Sequence, residues 1–171
     1  ERHQRFALTV NLDMISRRAD NEIYVAGTSH SPSLRPPIAS LQSRTTATIR
    51  FGHDTPDLGT GDWTMLSDHG VFHQLKRPWV YLGVEDHPDH HQPTDDFPTI
   101  PVDFFQRSAA TVELAVRAFD RDLEAIAQEA GRQRTLSPVG PSDPAQTAGR
   151  FRLRPHLTPA GQASIAPPHI D

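Results

Sequence analysis

The sequence predicts an α/β fold: a mixed, mostly parallel sheet of about four strands, flanked by helices in three α/β/α layers. Three observations predict it. Short runs rich in apolar and β-branched residues recur at 6–15, 22–28, 45–51 and 79–84. Helical patterns lie between and after them. Polar segments bearing carboxylates and imidazoles follow strands directly, where open α/β sheets gather their binding sites.

Residues 6–15 (Phe-Ala-Leu-Thr-Val-Asn-Leu-Asp-Met-Ile) read as a first strand. The run is apolar and nearly continuous, as in a central strand covered on both faces. Asp13 sits near its C-terminal end, where a carboxylate is costly unless it is paired or binds metal. Residues 22–28 are the second strand. Ser31 and Pro32 then open a helix as N-cap and first helical residue, running to about Gln42 with a bend or delay at Pro36-Pro37. Residues 45–51 form the third strand and 52–66 a loop. A short helix starts within 67–72, and the fourth strand occupies 79–84. Residues 101–130 read as a long amphipathic helix, with Phe105, Val112, Val116, Phe119, Leu123 and Ile126 at helical spacing and Gly131 as its stop. Residues 1–131 are read as the folded domain and 132–171, rich in Pro, Gly, Ala, Gln and Arg, as a tail.

Composition narrows the function. The chain has 171 residues, 17 basic and 21 acidic, and a net charge of −4 without long runs of either sign. Nucleic-acid binding is therefore not expected. Cysteine is absent, which excludes a thiolate metal site, a disulfide framework and a cysteine nucleophile. No apolar run approaches the ~20 residues of a membrane helix, and the first residues do not look like a signal peptide. The abrupt start, with a strand a few residues in, is what an excised fragment would show, and a short natural N-terminus would look the same.

The most informative stretch is 85–96, with three histidines and five carboxylates in twelve residues and a proline on each side of His90-His91. Imidazole and carboxylate are ligands that zinc prefers. Each candidate carries a plainer alternative. Asp13 is a metal ligand, or a strand-end aspartate that caps a neighbouring turn or pairs with an arginine such as Arg17. His90 and His91 are ligands oriented by Asp86, Asp89, Asp95 and Asp96, or part of a solvated acidic loop. Ser67-Asp68-His69 is no triad by adjacency, since triad members meet in space, and Asp68 serves equally as a helix N-cap. Glu85 could be a base, with nothing in the sequence fixing its environment. Gly59-Thr60-Gly61-Asp62 lacks the Gly-Lys-Ser/Thr of a phosphate loop and is discounted.

Taken together, residues 6–130 resemble the C-terminal half of the M28 family of zinc metallopeptidases, which are mostly aminopeptidases. Val10-Asn11-Leu12-Asp13-Met14-Ile15 is similar to the family's Asn-Leu-Asp-Met strand. Ser67-Asp68-His69-Gly70-Val71-Phe72, followed by Arg77-Pro78, is similar to its Ser-Asp-His-x-x-Phe segment and downstream proline. Asp89-His90-His91-Gln92-Pro93-Thr94-Asp95 is similar to its Asp-Tyr-His-Thr-Pro-x-Asp loop. Residues 23–32 resemble its Tyr-Val-x-Gly-Thr-x-x-Ser-Pro stretch. Order and spacing make the resemblance more specific than any one motif.

The resemblance implies that Asp13 and His91 are ligands to the two zincs of a two-metal centre. His90 stands where many members carry a catalytic tyrosine, and would donate a similar hydrogen bond. Ser67, Asp68 and His69 would line or support the substrate pocket. The family's His-x-Asp pair, its bridging aspartate and its Glu-Glu pair have no counterpart here, with only twelve residues before Asp13. The implied function is zinc-dependent peptide hydrolysis by a metal-activated water, as the C-terminal portion of an aminopeptidase that is inert alone and holds zinc weakly or not at all. The alternative is a noncatalytic interaction module that keeps the fold without the metal site. A third is a stand-alone metal-binding protein using His87, His90, His91 and nearby aspartates. A peptide is the implied substrate, with no nucleic acid or membrane as partner. Self-association or a complementary N-terminal segment would cover the apolar edge that the first strand presents if the front half is missing. The resemblance favours a periplasmic or secreted location.

Overall fold

The computed structural model describes residues 6–18, 20–56 and 61–136, except for the side chains of 133–136. By its internal contacts the chain divides into units Glu1–Ser137 and Pro138–Asp171. The second unit lies outside the described residues, and so does most of the expected tail.

Four strands form one sheet in the order β1-β4-β2-β3. They are β1 (Thr9–Leu12), β2 (Glu22–Ala26), β3 (Thr48–Phe51) and β4 (Trp79–Gly83). The pairs β1/β4 and β2/β3 run parallel, and β2/β4 runs antiparallel. The sheet is thus mixed and mostly parallel, as the sequence predicts. The helices are α1 (Arg35–Ala39), α2 (His69–Gln74) and α3 (Val102–Leu136), with 3-10 turns at Pro32–Leu34 and Phe97–Thr99.

The two faces of the sheet differ in chemistry. On one, Ile23, Val25, Ile49, Val80 and Leu82 pack against Leu34, Ile38, Val112, Ala115, Phe119 and Ile126 from the α1 region and α3. This is the aliphatic core. On the other, Ala26, Trp79 and Tyr81 meet Trp63 and Phe72, beneath α2 and the loop before it. β4 is buried at all five positions because it alternates between these layers.

Some expectations are corrected. The interior strands are β4 and β2, and the first strand is an outer one. Among the described residues β1 pairs on one side only, none of its four residues is fully buried, and Leu12 is 46% exposed. An apolar run fits an edge strand as well as a central one, because the sequence does not say how many neighbours a strand has. β2 ends at Ala26 because Gly27 takes φ +104°, and its carbonyl then accepts the amides of His30 and Ser31. A Cβ at Gly27 would sit 2.4 Å from the Trp79 carbonyl oxygen, so only glycine fits. Ser31 makes no side-chain cap, and the expected helix splits into a 3-10 turn and a five-residue α1 with Pro36 in its first turn. Gly131 does not stop α3, which continues to Leu136. The buried stripe of α3 includes Phe104, Ser108, Thr111, Ala115, Ala118 and Ala130, while Phe105, Val116 and Leu123 remain 37–43% exposed. Alanines fit close to the sheet, so hydrophobicity alone points the stripe slightly wrong. Among the described residues no helix is long and apolar enough to cross a membrane.

Candidate functional site

β1 and β4 are parallel neighbours in register Leu12↔Leu82. The segments that follow them, Asp13 onward and Glu85 onward, therefore leave the sheet at the same edge. The backbone pairing continues irregularly past the strand ends: the Asp13 amide donates to the Leu82 carbonyl at 3.3 Å, and the Val84 amide donates to the Met14 carbonyl at 3.1 Å. Met14 has φ +56°, which turns the chain out of the strand directly after Asp13.

Asp13 is exposed and oriented. The Ser67 hydroxyl donates to its Oδ2 at 2.8 Å, and the Tyr81 hydroxyl donates to its carbonyl at 3.0 Å. Ser67 is itself fixed by Asn11, whose Nδ2 donates to Ser67 Oγ at 2.9 Å and lies 3.0 Å from His69 Nδ1. His69 Nε2 lies 2.8 Å from the Trp63 carbonyl. A carbonyl and an amide group both demand one tautomer: Nε2 carries the proton and Nδ1 accepts. The chain Trp63–His69–Asn11–Ser67–Asp13 thus holds one carboxylate from the buried layer outward. Burial keeps the His69 imidazole below its usual pKa, with the Trp63 carbonyl opposing in part. Burial, reinforced by the Asp13 charge, raises the Tyr81 phenol well above its ordinary value, so it stays a donor.

Asp68 occupies the N-cap position of α2, yet its exposed side chain makes no cap hydrogen bond. His69 is fully buried against Trp79, ring centroids 4.4 Å apart, so it supports the site from beneath and cannot touch a substrate.

The histidine loop is a second group. His90 Nδ1 lies 3.0 Å from Asp86 Oδ1, and the His90 and His91 rings stand 3.9 Å apart. His91 is exposed and takes φ +59°. His87 lies 6.0 Å from His90, ring to ring. Arg17 does not pair with Asp13; its guanidinium goes to Asp89 at 2.8 Å and Asp95 at 2.9 Å. Glu85, a conceivable base, is engaged by Arg18 at 2.9 Å and stands 3.3 Å from His53 Nε2. The sheet thus brings Asp13, Ser67 and His69 into one network, and gathers His90 and His91 in the loop beside it. Among the described residues no three His, Asp or Glu side chains are grouped so as to hold a metal ion. The donors present therefore do not compose a metal centre by themselves. Gly59 and Thr60 of the discounted phosphate loop lie outside the described residues.

Sequence reasoning passed over Asn11, Tyr81 and the ring layer in which His69, itself singled out, stands with Tyr24, His53, Trp63, Tyr81 and Trp79, in the order Tyr24, His53, Trp63, Tyr81, His69, Trp79. Each ring in that order lies within 5.7 Å of the next. A signal existed for Asn11: a polar residue two positions before Asp13 in a strand shares its face. For the ring layer no linear signal exists, because its members come from four separate segments.

The sequence profile described as peptidase family M28 matches residues 1–116. No curated protein and no solved structure matches the chain.

Proposed function

This chain belongs to peptidase family M28, and on that premise we propose that it is the C-terminal portion of a zinc-dependent aminopeptidase, inert alone. The observation that carries the proposal is the parallel β1/β4 pair, which sends Asp13 and the His90-His91 loop out at one edge of the sheet. Asp13 and His91 contribute two ligands, Asp13 directly after β1 and His91 from the loop that follows β4. The Ser67 hydroxyl on Oδ2 orients Asp13, and the other oxygen of that carboxylate is left to bind. When bound, zinc supplies a polarised substrate carbonyl and an acidified water. His90 would donate a hydrogen bond to the substrate oxygen as charge develops on it. Asp68, exposed beside Ser67, is the member of its triplet open to a substrate, while Ser67 and His69 act behind the carboxylate.

The remaining ligands and the general base come from outside the described residues. An extended segment or a second copy would lie along the open edge of β1, and a monomer at every concentration in gel filtration counts against a second copy. By family resemblance, export to the periplasm or beyond the cell is part of the same reading.

Zinc content decides it. After dialysis, elemental analysis of the purified chain should find well under one zinc per chain, and no aminoacyl anilide should be cleaved. A ratio near two would overturn the incomplete-site reading. No uptake even in excess zinc, with the fold intact, would favour a noncatalytic interaction module.

A further inference from the structure

We propose that Arg17 is the positioning residue that fixes the His90-His91 loop against the end of β1. Arg17 follows Asp13 by four residues, and its side chain is only 9% exposed. Its guanidinium collects four acceptors from one loop. Nη1 donates to Asp89 Oδ2 at 2.8 Å. Nη2 reaches Asp95 Oδ1 at 2.9 Å and the Asp96 carbonyl at 3.2 Å, and also bonds the Thr99 hydroxyl. Asp89 and Asp95 bracket the His90-His91 pair in sequence. The bracket is tied a second time, since the Thr94 hydroxyl donates to the other Asp89 oxygen at 2.7 Å.

The physical case is one of cost. A buried guanidinium must be paired, and a planar fork is suited to draw two carboxylates to one point. No regular element spans 84–96; the loop is held by short turns and by this cation. The left-handed backbone at His91 (φ +59°) also needs a surrounding that holds it in place. Arg17 is anchored just beyond β1, so the loop's position is referred to the strand that carries Asp13. Fixing His91 with respect to Asp13 is then its role. That last step rests on the zinc reading above; the clamp on the loop does not.

The test uses the full chain with Arg17→Ala and Asp89→Asn, the second keeping the arginine in case the first fails to fold. Amide exchange across 87–99 and the imidazole NMR signals of His90 and His91 are followed, with amides of β4 as internal control. Loss of Arg17 should speed loop exchange by about tenfold or more, the loss expected when several charge-assisted bonds are removed. It should also merge the two imidazole environments while β4 stays protected. Low concentrations of free guanidinium ion should restore the loop in Arg17→Ala, a rescue that a general loss of packing would not show. Unchanged loop exchange and unchanged His90 and His91 signals in both variants would overturn the proposal. A loosened loop in a chain that takes up no zinc even in excess would retain Arg17's hold on the loop and set aside only the step that ties it to zinc.

Discussion

At the scale of single residues, one carboxylate is oriented by uncharged partners and two histidines are disfavoured as cations. Asn11, Ser67 and Tyr81 give Asp13 its orientation, and none of them carries a formal charge. His69 and His73 are both held below the usual imidazole pKa by burial, His73 further by His30, whose ring lies 4.6 Å away. The unfolded chain therefore binds protons at these two sites more readily than the folded one. Stability from this source is complete above about pH 6.5, the ordinary imidazole value, and is lost as pH falls through the lowered folded-state values. Thermal melts should give a lower midpoint at about pH 5.5 than at about pH 7.5, and equal midpoints would contradict it. Asp13 and the pair His90-His91 were legible in the sequence as residues of interest. Their supports were not, because Asn11, Trp63 and Tyr81 reach the site from β1, the loop before α2 and β4. Arg17 was legible only as a possible partner of Asp13, four positions away, whereas folding brings it carboxylates more than seventy positions away.

At the scale of elements, every strand and both longer helices were legible, since each depends on a local pattern. Their ends and their neighbours were less so. The second strand stops two residues early because the backbone at Gly27 needs a left-handed turn against Trp79. The α3 helix overruns Gly131 because glycine lowers helix propensity without forbidding helix, and an i,i+3 ion pair between Glu129 and Arg132 spans the position at 2.7 Å. Gly131→Ala should therefore raise stability, by up to ~1 kcal/mol and less if the helix end frays. Urea unfolding followed by circular dichroism would show this as a later midpoint at constant slope. A destabilised variant would mean that the glycine serves a purpose other than continuing the helix.

At the scale of the whole folded unit, the two outer strands are finished differently. β3 carries Arg50, paired with Glu22 at 2.6 Å, and its Phe51 ring lies beneath the Arg35 guanidinium at 4.1 Å. Charged side chains of this kind discourage further strand pairing. β1, Thr-Val-Asn-Leu, has no charge in its length and leaves Leu12 exposed. The sequence displayed that lack of charge but not the strand order that makes β1 an edge, which is a property of the assembled sheet.

The pairing of Thr9 with Trp79 also has a kinetic side. β2 and β3 pair across only 26 positions (Glu22↔Thr48), whereas β2 meets β4 across as many as 59 (Tyr24↔Gly83) and β1 meets β4 across 70 (Thr9↔Trp79), the longest separation in the sheet, and the entropic cost of closure rises with loop length. Asp13 and the histidine loop become neighbours only at that step, so the candidate site should be among the last parts of the unit to form. Pulse-labelled hydrogen exchange during refolding should protect the amides of β2 and β3 before those of β1. A molecule caught midway would have its β2/β3 pair and none of its site.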